Sequence, residues 1–173
     1  MSLTTRVFAG FVLVVSGCVL GAALTSQYWG GLVPCELCLL QRWPWAAAIV
    51  IAIVLVMVGS RAALPWAGLI FGIVFAVSAG FAFYHLGVEQ HWFAGPSVCT
   101  ASGAGHAKTV EEMKALIMNA APVQCDQVQW TLFGVSLAGW NLVASAVMFL
   151  CSVVAGLQRA GAPRRARLEE GTA

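Results

Sequence analysis

The sequence predicts an all-α membrane protein: one four-transmembrane-helix bundle with a short first and a long second outer loop. Three observations carry this expectation. Hydrophobic residues make up 60% of the 173 positions and charged residues 9%, whereas a soluble domain carries about 25% charged residues. So little polar material cannot cover a water-exposed surface. Four apolar stretches, 7–28, 39–59, 64–84 and 132–157, reach the roughly 20 residues that a helix needs to cross a bilayer. The basic residues fall unevenly on the two sides that these spans define.

The first span is too long for a cleaved leader, and no small-residue cleavage site precedes a soluble domain, so it reads as a retained span. A short loop, 29–38, follows. The second span is uncharged apart from Arg42 near its start, and Pro44 falls in its first turns, where a missing N–H costs little. A tight turn at 60–63 leads to the third span. The second outer loop, 86–131, contains Thr109-x-x-Glu112, a capping-box pattern, followed by Val110, Met113, Leu116 and Ile117 at helical spacing. This predicts a short amphipathic helix lying on the membrane. The fourth span is again uncharged. Residues 1–158 form a single membrane domain and 159–173 a tail.

Four spans put both termini on one side. That side holds Arg6, Arg61, Arg159, Arg164, Arg165 and Arg167, against Arg42, Lys108 and Lys114 on the other. The positive-inside rule makes the first side cytoplasmic. Trp29, Trp43, Trp45, Trp92, Trp130 and Trp140 cluster near the outer ends, where such rings favour the headgroup layer, and Trp66 marks the inner face. No basic cluster is large enough to suggest a nucleic-acid partner; the bilayer is the expected surroundings.

Of the six cysteines, Cys18 and Cys151 sit inside spans and read as inert core residues. Cys35, Cys38, Cys99 and Cys125 all fall on the outer, oxidising side, where disulfides form. The simple pairing is Cys35–Cys38 and Cys99–Cys125. The second bridge closes a loop of about 25 residues, worth roughly 3 kcal/mol in the chain-entropy model. Two purely stabilising disulfides are the plain alternative. That alternative is weak for Cys35-x-x-Cys38, which closes almost no chain and is more useful as a redox switch. No metal is expected: Cys99, Cys125, His91 and His106 match no common zinc spacing.

If the second helix begins near Glu36, Cys38 and Arg42 share a face. The guanidinium and the helix N-terminus then both favour a thiolate at Cys38, with Glu36 opposing. The alternative is an arginine that merely snorkels to the headgroups. There is no G-x-G-x-x-G, no haem-attachment motif and no cluster-ligand run. Electrons reaching Cys35–Cys38 therefore need a diffusible acceptor. A lipid-soluble quinone fits, with Arg42 donating to a ring carbonyl.

Pro34-Cys-x-Leu-Cys-x-x-Gln41-Arg42 resembles the signature of the disulfide bond formation protein B (DsbB) family. So do the four spans, the second outer cysteine pair, and Cys125 followed by Trp130-x-x-Phe133-Gly134-x-Ser136. Tyr84-His85-x-Gly87-Val88-Glu89-Gln90, leading to Gly95-Pro96-x-x-Cys99, is similar to the loop of some alphaproteobacterial members. The resemblance implies a thiol:quinone oxidoreductase of the bacterial inner membrane. It implies a periplasmic DsbA-like partner of thioredoxin fold, reoxidised at the expense of the quinone pool, with ubiquinone favoured over menaquinone. By motif, Cys99 takes the partner's attack and Cys125 is its mate. Cys35 exchanges with that pair through a transient bridge to Cys125, and Cys38 hands electrons to the quinone. Arg42 holds the quinone, Gln41 lines its pocket, and His85 rather than His91 matches the family's histidine near the third span's outer end. A vitamin K epoxide reductase-like protein is the competing enzyme, but its active Cys-x-x-Cys lies near a later span. A non-catalytic membrane subunit with structural disulfides is the competing non-enzyme.

Overall fold

The computed structural model describes residues 5–58, 64–96, 109–112, 114 and 123–160, with the side chains of 158–160 left aside. Its helices are α1 (Thr5–Tyr28), α2 (Glu36–Leu40), α3 (Arg42–Val58), α4 (Leu64–Glu89) and α5 (Leu137–Ala160), with a two-stranded hairpin, β1 (Thr131–Leu132) and β2 (Val135–Ser136), before the last. Among the described residues four helical segments are long and apolar enough to cross a membrane: Thr5–Tyr28, Glu36–Val58, Leu64–Glu89 and Leu137–Leu157. Helix is the natural solution for such segments, because lipid offers no partner for an unpaired backbone group. The bundle is all-α with four spans, as the apolar runs imply.

α1 lies along α3 and α4 along α5, and the α3–α4 contact joins the two pairs. The core holds Phe8 and Val12 from α1, Trp45 from α3, Phe71 and Phe75 from α4, and Met148 from α5. Phe8 meets Phe71 edge-on with ring centroids 5.9 Å apart, and Trp45 tilts against Phe75 at 5.2 Å. Outward-facing Val7, Val14, Val50, Met57, Ile73 and Leu150 are mostly exposed, an apolar surface suited to lipid. The α4–α5 crossing depends on two glycines. A Cβ on Gly68 would stand 2.7 Å from Gly156 Cα, so the backbones touch there. Small residues permit such close approach between membrane helices.

Three departures from the sequence expectation shape the outer end. First, α4 continues to Glu89, past the expected limit at Tyr84, because its last turn is covered by protein: His85, Gly87 and Val88 are buried. Second, residues 131–136 form a hairpin instead of opening the fourth helix. Thr131 pairs with Ser136 and Leu132 with Val135. The two loop residues, Phe133 (φ 54) and Gly134 (φ 78), both take the left-handed conformation that a tight two-residue turn needs. Third, the second span is interrupted. Pro44 has no N–H to donate back to the Leu40 carbonyl, and the helix breaks at Gln41 between α2 and α3.

Two smaller expectations are corrected. Trp45 is 2% exposed and belongs to the core, not the headgroup layer. Cys18 is exposed on the outside of the bundle, not buried in it. In the second outer loop Thr109 Oγ accepts from Glu112 N at 3.2 Å, as a capping box requires. The remainder of that expected helix, the 60–63 turn, Cys99 and the tail beyond Ala160 lie outside the described residues.

Candidate functional site

The site forms where the α2–α3 break meets the last turn of α4. Cys35 is the N-cap of α2, and its Sγ accepts from Cys38 N at 3.3 Å. A cap residue holds its side chain over the first turn, which brings the sulfur of the residue three positions on into reach. Cys35 Sγ and Cys38 Sγ stand 3.0 Å apart, both free thiols. The two sulfurs sit within reach of closing the expected Cys35–Cys38 bridge. Cys125 is disulfide-bonded and fully buried. It belongs to one buried cluster with Cys35, Leu37 and Val88, so the loop disulfide packs beside the dithiol. Its expected mate, Cys99, is outside the described residues.

The thiolate of the pair is placed differently from the sequence expectation. The hydrogen bond from the Cys38 thiol holds the Cys35 thiol well below the usual range, helped by His85 and the Cys38 amide and opposed by burial. Arg42 does not act as the expected partner of Cys38. Its guanidinium donates to Gln27 Oε1 at 2.6 Å and to Ala23 O at 3.5 Å, which ties it to α1. Arg42 and Cys38 nevertheless line the same cavity, of about 370 Å³, together with Cys35, Gln41, His85 and Glu89. Val19, Ala23, Leu137 and Ala144 supply apolar walls. An enclosure of this size and character suits a flat, largely apolar ligand with a few polar atoms.

His85 is buried and its Nε2 is 3.6 Å from Cys35 Sγ. His91, the other candidate, is exposed; it sits in the left-handed region (φ 60) beyond the end of α4 and contacts Val88 O through Nδ1 at 3.3 Å. Gln41 Nε2 contacts His85 Nδ1 at 2.6 Å. Asn141 was not named in the sequence, and Trp45, Glu89 and Ser136 were named there without a role at this site. Asn141 Nδ2 donates to Gln41 Oε1 at 2.5 Å, and Trp45 Nε1 donates to Asn141 Oδ1 at 2.8 Å. Glu89 Oε1 lies 3.9 Å from His85 Nε2, and Ser136 Oγ donates to Glu89 Oε2 at 2.5 Å while also accepting from Gly139 N. An amide in an otherwise apolar span and a His–Glu pair four apart on one helix were the available signals.

The family model described as "Disulfide bond formation protein DsbB" matches residues 5–155. The chain belongs to the DsbB family. It is 30% identical over 155 residues to the disulfide bond formation protein B of Albidiferax ferrireducens, covering 86% of this chain and 84% of that protein. The Azoarcus sp. protein of the same name is 28% identical over 144 residues, covering 77% and 82% of the two chains. The Marinobacter nauticus protein, also of that name, is 26% identical over 163 residues, covering 90% and 91%. No solved structure matches the chain significantly. As a DsbB-family protein the chain is a multi-pass inner-membrane enzyme of disulfide bond formation, a dithiol:quinone oxidoreductase. Membership decides against the vitamin K epoxide reductase-like and purely structural alternatives.

Proposed function

We propose that electrons enter this protein at Cys99–Cys125, pass to Cys35, and leave from Cys38 to a quinone held in the cavity beside Arg42. The observation that carries the route is the position of the Cys35–Cys38 pair. It shares a buried cluster with disulfide-bonded Cys125 and also lines the cavity.

Each exchange is a thiolate attack on a disulfide, with one S–S bond formed for each broken. The reduced partner's thiolate opens Cys99–Cys125 at Cys99; its second thiol then closes the partner's own disulfide and leaves both loop cysteines as thiols. Cys125 attacks Cys35 of the oxidised pair, forming a Cys125–Cys35 bridge and releasing Cys38 as the free sulfur at the cavity. Cys99 then reclaims Cys125 and returns Cys35 as a thiolate. A bound quinone supplies the two-electron, two-proton acceptor that lets Cys35 and Cys38 close their disulfide again. Arg42 orients the ring through N–H groups beyond those used by Gln27 and Ala23, since a guanidinium carries five. Gln41 and His85 form the polar part of the same wall.

The partner is a DsbA-like periplasmic oxidase of thioredoxin fold, and the quinone is ubiquinone. Both termini lie in the cytoplasm and the four reactive cysteines face the periplasm, consistent with the arginine bias. Steady-state quinone reduction by the reduced partner tests the route. Cys35→Ala and Cys38→Ala each abolish it; full turnover by either variant would sink the reading.

A further inference from the structure

The hydrogen-bond chain behind the dithiol has a fixed direction. An indole N–H only donates. Trp45 Nε1 therefore fixes Asn141 Oδ1 as its acceptor, 2.8 Å away. With its oxygen turned to Trp45, Asn141 presents its NH₂ to Gln41 Oε1 at 2.5 Å. With its oxygen so used, Gln41 presents its NH₂ to His85 Nδ1 at 2.6 Å. Nδ1 must then be the lone-pair nitrogen, and the ring proton stands on Nε2. A proton on Nδ1 would set N–H against N–H. Nε2 faces Cys35 Sγ at 3.6 Å and Glu89 Oε1 at 3.9 Å. Both can accept, so the outer end of the chain is compatible with the direction set at Trp45.

We propose that Trp45 and Asn141 are positioning residues that lock His85 as its Nε2–H tautomer, which gives Cys35 a fixed donor and closes the dithiol to soft metal ions. The inference rests on the exchange route above only for the use made of Cys35. The donor acts whenever Cys35 is a thiolate, as leaving group from the Cys125 bridge or as nucleophile. The ring lends a hydrogen bond and keeps its proton, so no acid or base is consumed.

The second consequence concerns a danger that the same geometry creates. Cys35 Sγ, Cys38 Sγ and His85 Nε2 all lie within 4.8 Å of one another. By residue type this is a Cys₂His ligand set, with the cavity open for a fourth ligand. Ligation needs the Nε2 lone pair, and the donor chain puts a proton there. A ring locked the other way would offer zinc a site in every reduced molecule and stall turnover.

Asparagine-to-aspartate substitution reverses the chain at a point that touches neither sulfur. The carboxylate of Asn141→Asp accepts from Trp45 and from the Gln41 NH₂. Gln41 then turns its oxygen to His85, and the proton moves to Nδ1. The experiment is ¹⁵N NMR of the reduced, full-length protein in detergent, with the His85 signals assigned by their loss in His85→Ala. It is paired with a Zn²⁺ titration of the same samples. The unsubstituted protein is expected to show a protonated Nε2, and His85→Ala is expected to leave its Zn²⁺ affinity unchanged. In Asn141→Asp the proton moves to Nδ1 and Zn²⁺ binds about tenfold or more tightly, the usual scale for an outer-shell partner of a zinc histidine. That gain vanishes in Asn141→Asp/His85→Ala. A protonated Nδ1 in the unsubstituted protein overturns the proposal without any variant, as does a His85-dependent Zn²⁺ site there. None of these readouts involves quinone or partner, so a failure here is separate from a failure of the electron route.

Discussion

The Arg42 guanidinium donates to Gln27 Oε1 at 2.6 Å, which fastens the start of α3 to the outer end of α1 in the lining of the cavity. An arginine at this depth is costly unless it is paired, and Gln27 with Ala23 O supplies the pairing. The anchored cation can then serve a ligand without first having to be ordered.

Arg42→Ala is expected to raise the apparent quinone KM about tenfold or more with the disulfides intact, since a hydrogen bond to a charged group contributes about 1.5–3 kcal/mol. Gln27→Ala, which leaves the charge but frees it, gives a smaller rise. Steady-state kinetics with a short-chain quinone measure both. An unchanged KM in Arg42→Ala removes Arg42 from the site.

The Cys35 thiol is held low chiefly by the Cys38 hydrogen bond. In the reduced protein Cys35 is therefore already a thiolate at pH values where an ordinary thiol, with a pKa of about 8.5, is protonated. Its alkylation rate should level off well below that value, and Cys38→Ala, which removes the largest cause, should move the midpoint up. The linkage to stability has the sign of a depressed acid. The contribution is full above the unfolded thiol's pKa and is lost as pH falls through the folded one. Reduced protein should thus gain stability as pH rises towards the ordinary thiol range. Rate profiles with a small alkylating reagent decide this; a midpoint near the ordinary thiol value contradicts it.

The two glycines at the α4–α5 crossing are not equivalent. A Cβ on Gly68 meets Gly156 Cα at 2.7 Å, but a Cβ on Gly156 finds its nearest neighbour at 3.7 Å. Gly68→Ala should cost on the order of 1–3 kcal/mol through forced separation of the helices. Gly156→Ala should cost much less. Thermal unfolding in matched detergent compares them, and equal losses would contradict the asymmetry.

The four spans were legible because lipid imposes a simple condition, a long uncharged run, that 7–28 and 64–84 meet on inspection. The cysteines at 35 and 38 and Arg42 were legible from their motif, and the structure places Cys35, Cys38, Arg42, Gln41 and His85 around one cavity. The direction of the electrostatics was not. Counting four residues from Cys38 to Arg42 brings both to one cavity, but it could not show that Gln27 and Ala23 of α1 take the guanidinium. Capping then gives the favoured sulfur to Cys35. Trp45 looked like an interface ring because position along the chain says nothing of which face of a helix turns inward. Asn141, Glu89 and Ser136 come to the site from helices and a hairpin far apart in sequence, and only packing brings them together.

In the proposed route Cys35 and Cys38 alone deliver the electrons to the quinone, and the loop pair only loads them. A single-turnover experiment on the Cys99→Ser/Cys125→Ser variant tests it. The variant is fully reduced, freed of reductant and mixed with ubiquinone while quinol and free thiols are followed together. Equimolar quinol and a Cys35–Cys38 disulfide are expected, with no steady-state turnover when the reduced partner is added. Failure to form quinol from the intact Cys35–Cys38 dithiol would contradict it.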